Sequence, residues 1–226
     1  MFLGHFAVAL AAKRAAPQAS LGALFAAAQL PDIVWPVLVL TETEQVEIHP
    51  GDTAFTPLHF TSYPWSHSLL MVATSGVVAG ALYGAATRQL RHGVVVALLV
   101  VSHWVLDWIS HRSDMPLAPG SGLYGLGLWN SVPATLAVEV GLFVAGLLVY
   151  IGVTTARDNA GRYGFWSMSA FLIAVYLGNE FGPPPPSARA VAWAGLAGAA
   201  VLLTWASWSD RHRDRRPPET QAVGSK

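Results

Sequence analysis

Three ionisable side chains stand four residues apart in the otherwise apolar stretch SHWVLDWISH, residues 102–111: His103, Asp107 and His111. On an α-helix, residues four apart share a face and lie about 6 Å apart along the axis. His103 and Asp107 are therefore able to hold one metal ion together, with a simple hydrogen bond between them as the alternative. His111 lies roughly 12 Å from His103 along the axis, so we expect it to serve a second ion or a substrate group at the mouth of the site.

The segment that carries this motif is expected to cross a membrane. Of the 226 residues, 53% are hydrophobic and only 12% are charged, a composition outside the range of soluble globular domains. A bilayer requires roughly 20 apolar residues per helix. The sequence therefore predicts an all-α, polytopic integral membrane bundle over residues 1–210, with a short N-terminal helix in FLGHFAVALAAKRAA and about six long spans, at 20–40, 67–87, 93–110, 129–154, 163–178 and 188–208.

Basic residues are expected to fall on one side of this bundle if the helices alternate in direction. They form four groups: Lys13 with Arg14, Arg88 with Arg91, Arg157 with Arg162, and the run RHRDRR. Basic loops stay on the cytoplasmic side of bacterial inner membranes. We therefore expect a multi-pass inner-membrane protein, with residues 211–226 as a basic, disordered cytoplasmic tail.

Ionisable groups within apolar helices are costly and usually mark a function. Besides the pair in the motif they are His5, Asp32 and Glu139, while His67 opens a predicted span. The helical rise of 1.5 Å per residue places all of them in the outer half of the bilayer. The sequence thus predicts one polar pocket that opens away from the cytoplasm.

The chemistry of this pocket is limited by the residues that are present. The chain has no cysteine, so a metal ion must be held by histidine, carboxylate or backbone oxygen. Imidazole ligands favour zinc, or manganese, over calcium. Asp32, which follows Pro31, is either a site residue or a local cap. Glu139 is a candidate general base or further ligand, with a hydrogen bond to Thr135 as the alternative.

Four segments of the chain resemble the LexA-binding, inner-membrane-associated family described as metal-dependent hydrolases: GHFAVALAAKR, GALFAAAQLPDIVWP, WSHSLLMV and SHWVLDWISH. The resemblance covers residues 1–116. It implies that the metal ligands are His5, Asp32, His67, His103 and Asp107, with His111 less closely matched. The family is similar to zinc-dependent phospholipase C and P1 nuclease, helical enzymes that hold a cluster of metal ions.

The chain departs from the family pattern at two places. Family members often have a second aspartate two residues after the first, where this chain has Val34, and an HRG segment where it has residues 62–64, SYP. His59 is a candidate replacement for the missing imidazole. The second half of the chain also lacks another HxxxD pair, so we expect one or two metal ions.

The predicted function is a membrane-bound hydrolase that uses water activated by a divalent metal ion, with Asp32 and Glu139 in catalytic roles. The expected substrate is a phosphoester or other ester of a lipid-like molecule in the bilayer, and Arg112 beside the mouth would suit a phosphate. No nucleic acid is expected as a partner. One alternative is a cation or proton transporter with an intramembrane His/Asp relay, although the inner halves of the spans carry few polar residues. Another is an adaptor without catalysis, whose basic tail binds a cytoplasmic protein or anionic lipid.

Overall fold

The computed structural model describes residues 1–216, and most of them are helical. Within this range the α-helices are α1 (Leu3–Ala12), α2 (Leu21–Ala28), α3 (Leu30–Leu40), α4 (Pro64–His67), α5 (Leu69–Thr87), α6 (Leu90–Ser110), α7 (Val132–Val153), α8 (Asn159–Phe181) and α9 (Ala188–Arg211). Three short antiparallel pairs join the connecting segments: β1 (Gln45–Ile48) with β2 (Leu58–Ser62), β3 (Met115–Pro116) with β4 (Leu123–Tyr124), and β5 (Thr154–Ala156) with β6 (Arg213–Arg215).

Four of these helices are long and apolar enough to cross a membrane, namely α5, α6, α7 and α9. The pair α2 and α3 is a fifth if the two helices form one span, although they are bent by 56°. A multi-span helical protein is thus confirmed, but the prediction of six long spans is not. The predicted span that is missing from this set is 163–178, which lies in α8. This helix has 23 residues, but it is less apolar than the other four because it carries Arg162, Asn179 and Glu180.

The bend between α2 and α3 follows from the sequence LPD. Pro31 has no N–H for the carbonyl one turn back, and its ring clashes with that carbonyl, so the helix is kinked or broken at this point. Gln29 ends α2, and Pro31 occupies the first turn of α3 together with Asp32. The break leaves carbonyls at the end of α2 without a helical partner and places Asp32 beside them.

Two short helices, α1 and α2, form the centre of the bundle. They pack on one another, and α6, α7 and α9 surround them. Their facing side chains are fully or almost fully buried, among them Phe6, Leu10, Leu24 and Phe25. Because α1 and α2 are only 10 and 8 residues long, their ends lie inside the bundle, where polar groups have to be paired.

A buried polar cluster pairs these groups at the end of the bundle where α1 finishes. Asp210 accepts hydrogen bonds from Lys13 Nζ at 2.5 Å, from Tyr150 Oη at 2.7 Å and from the backbone N–H of Leu21 at 3.1 Å. The sequence did not indicate this cluster, since it predicted few polar residues in the inner halves of the spans. It joins the α1–α2 connection to α7 and α9.

Regular structure continues beyond residue 210, where the predicted domain ended. The last helix runs to Arg211, and Arg213–Arg215 pairs with Thr154–Ala156. Residues 217–226 of the predicted tail lie outside the described residues.

Helices α5 and α6 pack backbone against backbone. A Cβ atom at Gly80 would lie 2.5 Å from the carbonyl oxygen of Gly93, and one at Gly93 would lie 2.5 Å from the carbonyl oxygen of Gly80. Both contacts are with backbone atoms, which cannot move aside by a rotamer change. The two helices therefore approach this closely only because both positions are glycine.

We predict that Gly80→Ala lowers stability by about 1–3 kcal/mol, because the added methyl group overpacks the α5–α6 contact. The measurement is the thermal unfolding midpoint of the detergent-purified protein. Gly141→Ala in α7 is the matched control, since a Cβ atom there meets nothing within 4 Å, and its midpoint should stay the same or rise. Equal midpoints for the two variants would show that the α5–α6 contact is loose.

Candidate metal centre

Four of the predicted ligands converge beside the break between α2 and α3. His103 Nε2 lies 3.0 Å from Asp107 Oδ2 and 3.6 Å from Asp32 Oδ1, and His67 Nε2 lies 3.4 Å and 3.8 Å from Asp32 Oδ1 and Asp107 Oδ2. Ligand atoms at the usual 2.0–2.1 Å around a tetrahedral zinc ion are roughly 3.3 Å apart. The spacing in the protein is therefore close to that of one coordination shell.

The four side chains come from three separate elements. Asp32 lies in the first turn of α3, His67 ends α4, and His103 and Asp107 lie one turn apart on α6. His67, His103 and Asp107 are buried, whereas the Asp32 side chain is 42% exposed. Asp32 is thus the member of this cluster that faces the exterior of the protein.

A backbone contact determines which nitrogen of the neutral His103 ring carries the hydrogen. Its Nδ1 lies 2.7 Å from the carbonyl oxygen of Ala28, at the end of α2. A carbonyl oxygen only accepts, so Nδ1 carries the hydrogen and Nε2 of the neutral ring has a lone pair. Within residues 1–216 Nε2 has no hydrogen-bond partner, although it faces two carboxylate oxygens. Electron-rich atoms in this arrangement need a second proton or a cation between them.

His5 belongs to the same cluster because it contacts the second carboxylate oxygen of Asp107. Its Nε2 is 3.0 Å from Asp107 Oδ1, an oxygen that also contacts the Met1 amino group. The His5 ring is stacked on the His103 ring, with 3.8 Å between their centroids. His5, Asp32 and His103 also offer ligand atoms that lie within 4.8 Å of one another. The two oxygens of Asp107 thus face different imidazoles.

Glu139 lies next to this cluster and caps α1. Its Oε2 accepts hydrogen bonds from the N–H groups of Phe2, Leu3 and Gly4, at 2.8, 2.6 and 3.4 Å. The Thr135 hydroxyl instead donates to carbonyl oxygens of its own helix end, so the Thr135–Glu139 hydrogen bond is not formed. In the described part of the chain Glu139 Oε1 has no hydrogen-bond partner. The role of Glu139 as a general base stays a prediction.

We predict that Glu139→Ala lowers the thermal unfolding midpoint, by an amount equivalent to about 1–2 kcal/mol, because α1 loses the cap of its first turn. Glu139→Gln keeps an acceptor oxygen and should lose less. Glu42→Ala, at an exposed position, is the control and should leave the midpoint unchanged. An Ala variant as stable as the wild type would show that the cap contributes nothing.

His111 lies in a second polar group, outside the cluster. Its Nδ1 is 3.0 Å from Asp114 Oδ1, which also accepts a hydrogen bond from Tyr63 Oη at 2.9 Å. The motif spacing predicted this separation from His103. Arg112 donates to Asp114 and to Asp52, at 3.2 and 2.6 Å, and so ties this group to the loop between β1 and β2.

His59, the candidate replacement imidazole, belongs to this second group as well. It lies 2.9 Å from Asp52 Oδ1 and 2.9 Å from Arg112 Nη2. The structure therefore does not bring His59 or His111 to the four converging side chains. Since Arg112 is engaged by two carboxylates, it also has less capacity to bind a phosphate than the sequence suggested.

Asp114 makes the second group sensitive to pH. Burial raises the pKa of its carboxyl, but hydrogen bonds from His111, Tyr63 and Arg112 outweigh burial and hold the pKa below its ordinary value. A carboxyl whose pKa is depressed by folding stabilises the protein above the unfolded-state pKa, about 3.9 for aspartate, and this stabilisation is lost as the pH falls below it.

We accordingly predict that wild type and Asp114→Asn differ in unfolding midpoint at about pH 7, and that the difference shrinks towards about pH 3 as Asp114 becomes protonated. The measurement is a series of thermal unfolding curves in one detergent. A difference that stays constant over this range would rule out the charge of Asp114 as its source.

A family model described as YdjM inner membrane protein matches residues 1–184. The chain belongs to the YdjM inner membrane protein family. The match covers the whole cluster, from His5 to Glu139, and supports an inner-membrane location. No curated protein and no solved structure matches the chain at a significant level. The expected similarity to phospholipase C and P1 nuclease stays a prediction.

Three residues that belong to the two polar groups or contact them through a neighbour were not predicted from the sequence as functional. They are Glu44, which is buried under α4, and Tyr63 and Asp114 beside His111. Glu44 is one of several acidic residues in a loop, and its distance along the sequence from the motifs does not distinguish it from the others. Asp114 lies three residues after His111, a spacing that is uninformative once the helix has ended.

Proposed function

We propose that the chain is a membrane-bound, metal-dependent hydrolase that cleaves a phosphoester or other ester of a lipid-like substrate. The observation that carries the proposal is the position of His103 Nε2, which faces the carboxylates of Asp32 and Asp107 at the spacing of a coordination shell while its Nδ1 is held by the Ala28 carbonyl oxygen. Burying an ionised carboxylate without a positive partner costs several kcal/mol. A divalent cation would give the Oδ2 atom of the buried Asp107 such a partner and would also balance the charge of the partly exposed Asp32.

The donor set fits zinc, with manganese as the second choice, since it combines imidazole nitrogen with carboxylate oxygen. His67, His103, Asp32 and Asp107 would hold one ion. His5, on the other oxygen of Asp107, would contribute to a second. A bound ion of this kind supplies Lewis acidity, which polarises a phosphoryl or carbonyl oxygen and lowers the pKa of water.

Three carboxylates of the chain would have separate roles in the proposed reaction. Asp107 is buried and positions the imidazoles on both sides of it. Asp32 is partly exposed, so it is the carboxylate able to meet substrate and to accept a proton from water. Glu139 would orient α1, and with it His5, by accepting hydrogen bonds from the first turn of that helix.

Exposed apolar residues beside Asp32 and His67 favour a substrate with acyl chains. Val34 and Val37 follow Asp32 on α3 and are 38% and 46% exposed, and Trp65 precedes His67 on α4 and is 50% exposed. Since α3 and α4 pack together, these exposed apolar side chains lie on the two helices that carry Asp32 and His67. A lipid-like substrate would contact them when its head group reaches the site.

The distribution of charge supports an orientation with the metal centre towards the outside. Exposed arginines occupy the helix ends near the Lys13–Asp210 cluster, among them Arg14, Arg88, Arg91 and Arg162. By the positive-inside rule that end is cytoplasmic. In this orientation residues 211–216, which follow the body of α9, would lie on the cytoplasmic side.

A transporter is disfavoured by the apolar composition of α2, the helix that contacts both polar clusters. Helix α2 reaches both of them, since the Ala28 carbonyl contacts His103 and the Leu21 N–H contacts Asp210. The eight residues between these ends, LGALFAAA, span roughly 12 Å and carry no polar side chain. A proton or ion has no relay group along this path. The adaptor alternative depends on the basic run RHRDRR, residues 211–216, in which Arg213 and Arg216 already donate to the hydroxyls of Thr154 and Thr155. Residues 217–226 of the tail lie outside the described residues.

The metal centre is tested by elemental analysis of protein purified in detergent without chelators. We predict one or two zinc or manganese ions per wild-type chain, and loss of metal in His103→Ala and Asp107→Asn. His92→Ala is the matched control, since His92 is a buried histidine on the same helix but near its other end, and it should keep the metal. Metal-free wild-type protein that cannot be reloaded with zinc would overturn the proposal.

The hydrolase activity is tested on the metal-loaded protein with a fluorogenic phospholipid in mixed micelles, together with its carboxylic-ester analogue. We expect cleavage of one of them, lost on chelation and restored by zinc. Metal binding without cleavage of either would overturn the hydrolase assignment. Uptake of zinc or protons into proteoliposomes, abolished by Asp107→Asn, would establish the transporter in its place.

A further inference from the structure

Glu44 is a buried carboxylate that lies outside the proposed metal centre. It is linked to His67 of that centre through the side chain of Ser66. It is 1% exposed and precedes β1. Its Oε1 accepts hydrogen bonds from the N–H groups of Trp65 and Ser66, at 2.7 and 2.9 Å, and its Oε2 accepts one from Ser66 Oγ at 2.5 Å. Glu44 thus uses one oxygen to cap α4 and the other to hold the Ser66 hydroxyl.

This contact determines which nitrogen of His67 carries its hydrogen. The Ser66 hydroxyl has a single hydrogen, and a carboxylate only accepts. Once that hydrogen is given to Glu44, Ser66 Oγ is left as an acceptor for His67 Nδ1, which lies 2.7 Å away. The neutral His67 ring is therefore protonated on Nδ1 and has a lone pair on Nε2, the atom that faces Asp32 and Asp107.

We infer that Glu44 is a positioning residue of the metal centre, which acts through Ser66 to keep His67 Nε2 available as a ligand. The inference rests on the proposed function where it concerns metal affinity, but the tautomer of His67 exists without metal. Partners that orient a metal-binding histidine through its other nitrogen usually contribute roughly 10- to 100-fold to metal affinity.

The substitution Glu44→Gln reverses the relay without removing the cap. Two backbone N–H groups need an acceptor at the position of Oε1, so the amide oxygen must stay there and the amide nitrogen must face Ser66. Ser66 Oγ then accepts from that nitrogen and gives its own hydrogen to His67 Nδ1. The neutral ring is protonated on Nε2 instead, and an N–H group points into the metal site.

The experiment combines two measurements on the full-length protein in detergent. The first is the ¹⁵N chemical shifts of the His67 ring in metal-free protein at about pH 8.5, two units above the ordinary imidazole pKa of about 6.5, with the His67 signals assigned by their loss in His67→Ala. The second is the zinc dissociation constant, measured by competition with a chelator. Glu47→Gln is the control, because Glu47 lies on β1 and its side chain is 59% exposed.

We expect the lone pair of His67 on Nε2 in the wild type and in Glu47→Gln, and on Nδ1 in Glu44→Gln. Zinc affinity should fall roughly 10- to 100-fold in Glu44→Gln alone. Ser66→Ala breaks the relay without reversing it, so both tautomers should be populated and the loss of affinity should be smaller. A change in folding alone would not move the tautomer from one nitrogen to the other.

Two results would overturn the inference. One is a wild-type ring with its lone pair on Nδ1. The other is an Nε2 lone pair that persists in Glu44→Gln. If the wild type binds no zinc, the proposed function fails, whereas the tautomer measurement still decides the role of Glu44.

Discussion

The buried carboxylate of Asp107 is the group on which the arrangement of the site depends. An ionised carboxylate away from water needs positive partners or hydrogen-bond donors on both oxygens. One oxygen receives the Met1 amino group and His5, and the other faces His103 and His67. These contacts form only if α1, α4 and α6 lie close together, so Asp107 requires the three elements to meet at one point.

The break between α2 and α3 provides the remaining groups. Irregular backbone is tolerated at membrane depth only where it is buried in protein or lines a polar cavity. Here the Ala28 carbonyl at the end of α2 fixes the tautomer of His103, and the next helix begins with Asp32 in its first turn. A continuous helix through residues 21–40 would satisfy that carbonyl internally and would leave His103 without its orienting partner.

The sequence predicted those features that depend on local periodicity. The 3.6-residue repeat placed His103 and Asp107 on one face and separated His111 from them, and the apolar runs predicted the helices α5, α6, α7 and α9 nearly to their ends. The prediction of six spans was not confirmed, because a run of mixed polarity such as α8 is compatible with several environments.

Partner choice between distant elements could not be predicted in the same way. Glu139 caps a helix more than 130 positions away, and Lys13 pairs with Asp210 across 197 positions. Glu44 reaches His67 through a hydroxyl whose role depends on the fold of a loop. None of these contacts produces a spacing that is visible along the chain, so only a three-dimensional structure reveals them.

Zinc-edge X-ray absorption of the purified protein shows whether these imidazoles and carboxylates surround a cation. We expect nitrogen and oxygen ligands at about 2.0–2.1 Å, with the outer scattering pattern of at least two imidazole rings, reduced by one ring in His67→Ala. A spectrum with only water-like oxygen ligands and no imidazole scattering would contradict this expectation.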